Sequence, residues 1–226
     1  MRYDWCKARE HWTWKDFCNN IWSDECSAER GAGGAQEWAF TTPAQKWQKE
    51  MVQTYKKGKD ISVMVWAAIW WWNGKVHKSD LVILERDWES KKHGYTATSY
   101  INVLEDQLKR IWEPGMVFMQ DNAPIYTAYA TKKWFEENAI PLLDWPPYSP
   151  DLNPIEHVWW HLKAMVKKMF PELEKLGKGE EALVALEKAL IIAWDKVDKT
   201  IIESCLKSLC RRRDAVIAAK GWHTKY

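Results

Sequence analysis

The 226-residue chain lacks most of the features that sort a protein by composition alone. Its charge is nearly balanced, 33 Lys and Arg against 31 Asp and Glu, so no bulk field points to a nucleic-acid or membrane partner and only local clusters could. The five cysteines, Cys6, Cys18, Cys26, Cys205 and Cys210, contain no C-x-x-C pair. An odd number without that spacing argues against a disulfide framework and a zinc ribbon, and leaves free thiols in packing positions. The longest nearly apolar run, Ile61 to Trp72, has 12 residues, where a membrane helix takes about 20; no membrane partner is expected. The opening segment MRYDWCKAREHW is charged throughout and lacks the apolar stretch of a secretory signal, which predicts a reducing compartment. Glycine (10) and proline (9) gather in a few places only, and no repeat or low-complexity tract is found. Tryptophan is abundant, at 18 residues; with 46% hydrophobic and 28% charged residues the chain has the composition and length of one globular domain with a sizeable core.

The period of the apolar residues changes along the chain. Residues 1–16 read as a helical lead-in, followed by a short apolar segment, Phe17 to Trp22, that ends at Ser23-Asp24-Glu25. Gly31-Ala32-Gly33-Gly34 before Glu37 to Thr42 suggests a hairpin. Ile61 to Trp66 is the clearest strand by its β-branched content, and Asp80 to Leu84 is a candidate for another. Tyr100, Leu104, Leu108 and Ile111 lay one stripe along a helix that Pro114-Gly115 ends. Met116 to Met119 reads as a short strand, Ala128 to Glu137 as a helix capped by Asn138, and Ile140 to Trp145 as a strand closed by a proline-rich loop. From Pro154 a helix buries Ile155, Val158, Trp159, Leu162, Val166 and Met169. Beyond Gly177-Lys178-Gly179 the pattern is helical, with Thr200 to Glu203 as a capping box. The expectation is an α/β protein: a mixed sheet flanked by helices over 17–170, and a helical C-terminal extension over 171–226 packed on that core.

Reactive groups in such sheets sit where strands end. Asp24 and Asp121 both follow short apolar segments, and Glu156 stands near the start of the helix after the next strand. If the two strands are parallel neighbours, the three carboxylates meet at one edge. Oxygen ligands with open water positions suit Mg²⁺ or Mn²⁺, and two such ions about 3.5–4 Å apart can activate water and stabilise a leaving oxygen. Each residue also has a plainer reading. Glu156 fits N3 of a capping box begun by Asn153, Asp121-Asn122-Ala123-Pro124 fits a turn, and Asp24 beside Glu25 fits a solvated strand end.

The text around these residues separates the readings. Trp22-Ser23-Asp24-Glu25, Phe118-Met119-Gln120-Asp121-Asn122-Ala123-Pro124, and Asp144-Trp145-Pro146-Pro147-Tyr148-Ser149-Pro150-Asp151-Leu152-Asn153-Pro154-Ile155-Glu156-His157 resemble the three catalytic blocks of mariner-type DDE transposases, with fungal-type members most similar. The 34 residues between Asp121 and Glu156 agree with one branch of that family. The resemblance implies a ribonuclease-H-like catalytic core, with Asp24, Asp121 and Glu156 as ligands of two Mg²⁺ or Mn²⁺ ions. It implies hydrolysis of a DNA phosphodiester at a transposon end and attack of the freed 3′-hydroxyl on target DNA. Asn122 and Gln120 would position the ligands or the substrate. The partner is then double-stranded DNA, as transposon ends and target, with a homodimer as candidate assembly and the nucleus as place of action. Members usually carry a helix-turn-helix region ahead of this domain, whereas here Met1 stands just before the first expected strand. Tyr126 replaces a common His, removing a donor near the metals, and Ala67 replaces a common Gly. A non-catalytic, transposase-derived DNA-binding or interaction module is the competing reading, and a nuclease acting on RNA-containing duplexes is a third.

His157 and His161 have zinc-ligand spacing, but Val158 stands where a zincin needs Glu, so both are expected to be packed or solvated. Two basic groups are candidate DNA contacts, Lys56, Lys57 and Lys59, and Arg211, Arg212 and Arg213, the latter within a segment of net charge +5 over 199–226. Such clusters neutralise phosphates without reading sequence. Three consecutive arginines cannot all face one way on a helix, and most tryptophans sit in apolar runs that favour core packing.

Overall fold

The computed structural model describes residues 1–29, 61–90, 94–177 and 179–226. The expected hairpin at Gly31–Gly34, the strand at 37–42, and Lys56, Lys57 and Lys59 lie outside these residues. Two short helices, α1 (Arg2–Ala8) and α2 (Trp14–Phe17), lead into β1 (Asn20–Glu29). Then come β2 (Ser62–Trp72), β3 (Lys75–Lys78) and β4 (Val82–Ile83). A continuous helical stretch follows: α3 (Ala97–Val103), a π-helical turn (Leu104–Leu108) and α4 (Lys109–Ile111). After β5 (Val117–Met119) come α5 (Pro124–Thr127), α6 (Tyr129–Glu137), α7 (Ile155–Met169), α8 (Glu180–Asp195), α9 (Lys199–Lys207) and α10 (Leu209–Ala218).

The sheet runs β3-β2-β1-β5, with β4 on β2. β1 and β2 are antiparallel over nine pairs, whereas β1 and β5 are parallel over three. Helices cover both faces, as expected. On one face Trp22, Cys26, Val65 and Ile69 pack against Val158, Trp159 and Leu162 of α7 and against α8 to α10. On the other, Ile21, Trp66, Phe118 and Tyr100 pack with α3 and α6. The cysteines are free and three of them are buried. No helix among the described residues is long and apolar enough to cross a membrane.

The structure corrects several local expectations. Phe17 closes a helix instead of opening a strand, because Asp16 accepts from the Thr13 N–H and caps that turn. β1 then runs past Asp24 to Glu29, its polar residues held in extended pairing by the longer partner β2. Of the expected strand at 140–145 only Leu142 bridges to Phe118; Pro141, Pro146 and Pro147 leave little room for a ladder. The N-cap of α9 is Asp198, whose carboxylate accepts from Thr200 N–H at 2.8 Å, so the expected box at Thr200 starts two residues late. The β2–β3 hairpin, not expected from the sequence, turns on Asn73-Gly74 with φ of 50° and 77°, a pair suited to the left-handed region.

Arg212 and Arg213, expected on a DNA-facing surface, are buried. Arg212 donates to Ser208 Oγ (2.7 Å) and the Asp151 carbonyl (2.8 Å), and pairs with His157 Nδ1 (2.9 Å). Arg213 binds Asp214 and the carbonyls of Arg9 and Trp12. Successive helix positions turn by about 100°, so the two residues face inward toward different partners and only Arg211 is exposed.

Candidate active site

The parallel register sets the site. Trp22 lies beside Met119, so Asp24 and Asp121, each two residues further on, leave the seam level with one another. Beyond the ladder, Ser23 Oγ donates to the Met119 carbonyl at 2.8 Å and holds the strands together there. Alternation along β1 sends Trp22, Asp24 and Cys26 toward α7 and Ile21 and Glu25 to the opposite face. Ala67, in place of the common glycine, is the cross-strand neighbour of Asp24 and is fully buried.

Helix α7 brings the third carboxylate. Asn153 ties its start to the sheet: Nδ2 donates to the Ser23 carbonyl at 3.2 Å and Oδ1 accepts from the Ile155 N–H at 3.4 Å. Glu156 therefore points at β1 instead of closing a capping box. The Glu156 carboxyl stands beside Asp24, and Trp159 Nε1, three positions along the same helix, donates to Asp24 Oδ2 at 3.2 Å. Burial first, then the charge of Glu156, pushes Asp24 well above the usual carboxylate range. Burial also raises Glu156, against the neighbouring Asp24 and the charges of Lys163 and Arg212. The two buried acids therefore bear on each other's ionisation.

Asp121 stands on the exposed side of this pair, its Oδ1 accepting from the Ala123 N–H at 2.7 Å. That is the expected turn, yet Asp24, Asp121, Asn122 and Glu156 line one cleft of about 490 Å³ roofed by the proline loop 146–150. Among the described residues no three acidic, histidine or cysteine side chains are already drawn together tightly enough to hold an ion. Asp121 is turned to its own backbone and the other two carboxyls to each other. The donor set nonetheless fits a divalent cation: three oxygen ligands open on one cleft, two of them destabilised as anions by burial, where a hard cation would restore ionisation. Asn122 is anchored, its Nδ2 donating to the Trp145 carbonyl at 2.9 Å, and Gln120 accepts from the Tyr100 hydroxyl at 2.8 Å.

A fourth carboxyl escaped the sequence reading. Glu25 is not a solvated strand end. It lies on the opposite face of β1, where burial pushes it up to about 8. Tyr126, in place of the common His, is buried with its ring 4.5 Å from that of Tyr100. The period-two alternation next to Asp24 was the available signal. The unfolded chain ionises Glu25 from about 4.5 and the folded chain only near 8, so the stabilisation it gives is full at low pH and lost as pH rises through that window. Glu25→Gln should therefore stabilise the metal-free protein by about 2 kcal/mol at pH 8, with little effect at pH 4.5. Urea unfolding in EDTA at the two pH values checks this; an equal difference at both would contradict it.

Comparison with known proteins follows the same residues. The DDE superfamily endonuclease family matches residues 84–177, which include Asp121 and Glu156. The Tcb1 transposase of Caenorhabditis briggsae is 32% identical over all of this chain and 77% of its own length. The chain belongs to the Tc1/mariner family of DDE transposases. The Tc1 transposase of Caenorhabditis elegans, also 32% identical, is covered over 77% of its length. The fold is the ribonuclease-H-like fold of these catalytic domains. A Mos1 transposase paired-end complex with left transposon end superposes with a TM-score of 0.62 at 19% identity, over 98% of this chain and 62% of that one. The catalytic domain of Mos1 mariner transposase superposes with 0.57 at 20% identity, over 99% and 94%. This family of endonucleases is divalent-metal dependent, and Mos1 structures with Mg and with Mn are among those that match.

Proposed function

We propose that Asp24, Asp121 and Glu156 hold two divalent ions, Mg²⁺ or Mn²⁺, and that the chain cleaves a DNA phosphodiester at a transposon end and joins the freed 3′-hydroxyl to target DNA. The observation that carries this reading is the opening of Asp24, Asp121 and Glu156 on one cleft at the level of the parallel seam. Bound metal would lower the pKa of attacking water and balance charge on the phosphoryl oxygens. The rest falls to the chain itself. Trp159 Nε1 fixes the orientation of Asp24, Asn153 fixes the start of α7 on β1, and Asn122 fixes the loop beyond β5. Double-stranded DNA is the partner in this reading, with a homodimer as the assembly and the nucleus as the place of action.

Incubation with duplex DNA tests it. Nicking with Mn²⁺ and none in EDTA is the expected result, and nicking at equal rates in both would overturn it. DNA binding that ignores metal and leads to no cleavage would favour the non-catalytic module instead.

A further inference from the structure

Tryptophan is a core residue in most of this chain, with Trp22, Trp66, Trp145, Trp159 and Trp194 among those buried. Two large rings near the carboxylates break the pattern: Tyr148 is 86% exposed and Trp160 64%. Tyr148 stands on the rim of the carboxylate cleft. Trp160 follows Glu156 by one helical turn, so the two share a face of α7. It lines a second groove, of about 560 Å³, which shares Pro150 and Glu156 with the first and is walled opposite by His223, Thr224 and Tyr226.

The backbone around this groove is tied together. The Arg2 guanidinium donates to the carbonyls of Tyr148 (2.6 Å), Gly221 (3.0 Å) and Trp222 (3.3 Å), and to both Asp151 carboxylate oxygens at 2.8 Å. Tyr148 itself adopts φ of 53°, a costly conformation for a bulky residue that persists only where the surroundings impose it. The far wall is fixed too, because the Tyr226 ring lies over the Arg212 guanidinium at 4.8 Å.

The chemistry of the groove selects its occupant. It presents flat faces with imidazole and hydroxyl groups at their edges, no lysine or arginine head lines it, and two carboxyl side chains, Asp151 and Glu156, do. A phosphate would meet negative charge there. A neutral, planar heterocycle with edge donors and acceptors would find stacking surfaces and polar partners. Given the proposed cleavage site, on which this inference rests, the heterocycle within reach is a base of the DNA itself. We propose that the groove of Trp160, His157, His223 and Tyr226 stacks one unpaired nucleobase, that of the nucleotide flanking the phosphodiester in the carboxylate cleft. The chain then takes ends that are frayed or carry an unpaired extension in preference to fully paired ones.

The test uses the whole chain with Ca²⁺ and two duplexes of one sequence, one blunt and one with a short unpaired 3′ extension carrying 2-aminopurine. Wild-type protein should bind the extended duplex more tightly and change the 2-aminopurine emission. Trp160→Ala should weaken binding of the extended duplex by about tenfold, abolish the emission change and leave blunt-duplex binding unchanged, whereas Trp160→Phe retains most of the preference. Because Trp160 is exposed, its replacement leaves the fold intact. Equal weakening on both duplexes, or no weakening, overturns the stacking site while wild-type nicking in Mn²⁺ still supports the carboxylate reading. Failure of the wild-type chain to bind either duplex overturns both.

Discussion

Asp121→Asn should lower Mn²⁺-dependent nicking of duplex DNA by about a thousandfold or more, the scale of losing several kcal/mol of transition-state stabilisation by metal. The substitution is chosen because the structure predicts almost no other consequence. Asp121 is exposed, and among the described residues its side chain has one hydrogen bond, accepted from Ala123 N–H. An asparagine oxygen can accept the same bond and keep the turn. The negative charge is what disappears, and with it the proposed ligand. Initial nicking rates and circular dichroism of both proteins, side by side, check the result. Unchanged circular dichroism with a lost rate assigns the carboxylate to chemistry, and wild-type nicking by Asp121→Asn would remove it from the ligand set.

Arg212→Ala should destabilise the protein by about 3–5 kcal/mol, the cost of breaking up a buried charged network. The guanidinium has no carboxylate paired directly with it. Its charge is met by Ser208 Oγ, the Asp151 carbonyl, His157 and the Tyr226 ring. Removing it leaves a cavity and strands buried acceptors in the segment that begins α7. Arg211→Ala, next door and exposed, should change stability by less than about 0.5 kcal/mol. The difference in urea midpoints between the two variants reads the effect directly, and similar midpoints would mean that water takes over the partners of Arg212.

Much of this layout could be read from the residues. The run Ile61 to Trp66 lies within β2, and the stripe from Ile155 to Val166 is the buried face of α7, because periodic apolar positions report which side of an element faces inward. The convergence of Asp24, Asp121 and Glu156 followed from strand ends and from motif resemblance. What escaped depended on partners distant in sequence. The polar stretch from Ser23 to Glu29 is a strand because β2 pairs with it, against its own composition. Arg212 and Arg213 look like surface charge until His157, Asp151, Arg9 and Trp12 arrive around them. Glu25 was hidden by its neighbour, and Asn73-Gly74 was a legible signal left unread.

The two aspartates ride on supports of unequal strength. Nine rungs join β1 to β2, but only three, with the Ser23 hydroxyl, join β1 to the strand that carries Asp121. Warming would unzip the weaker edge before the hub of the molecule gives way, separating the acids while the core stays folded. Resistance to melting and retention of a competent cleft are therefore distinct properties here, and stiffening one edge strand would extend the second without touching the first.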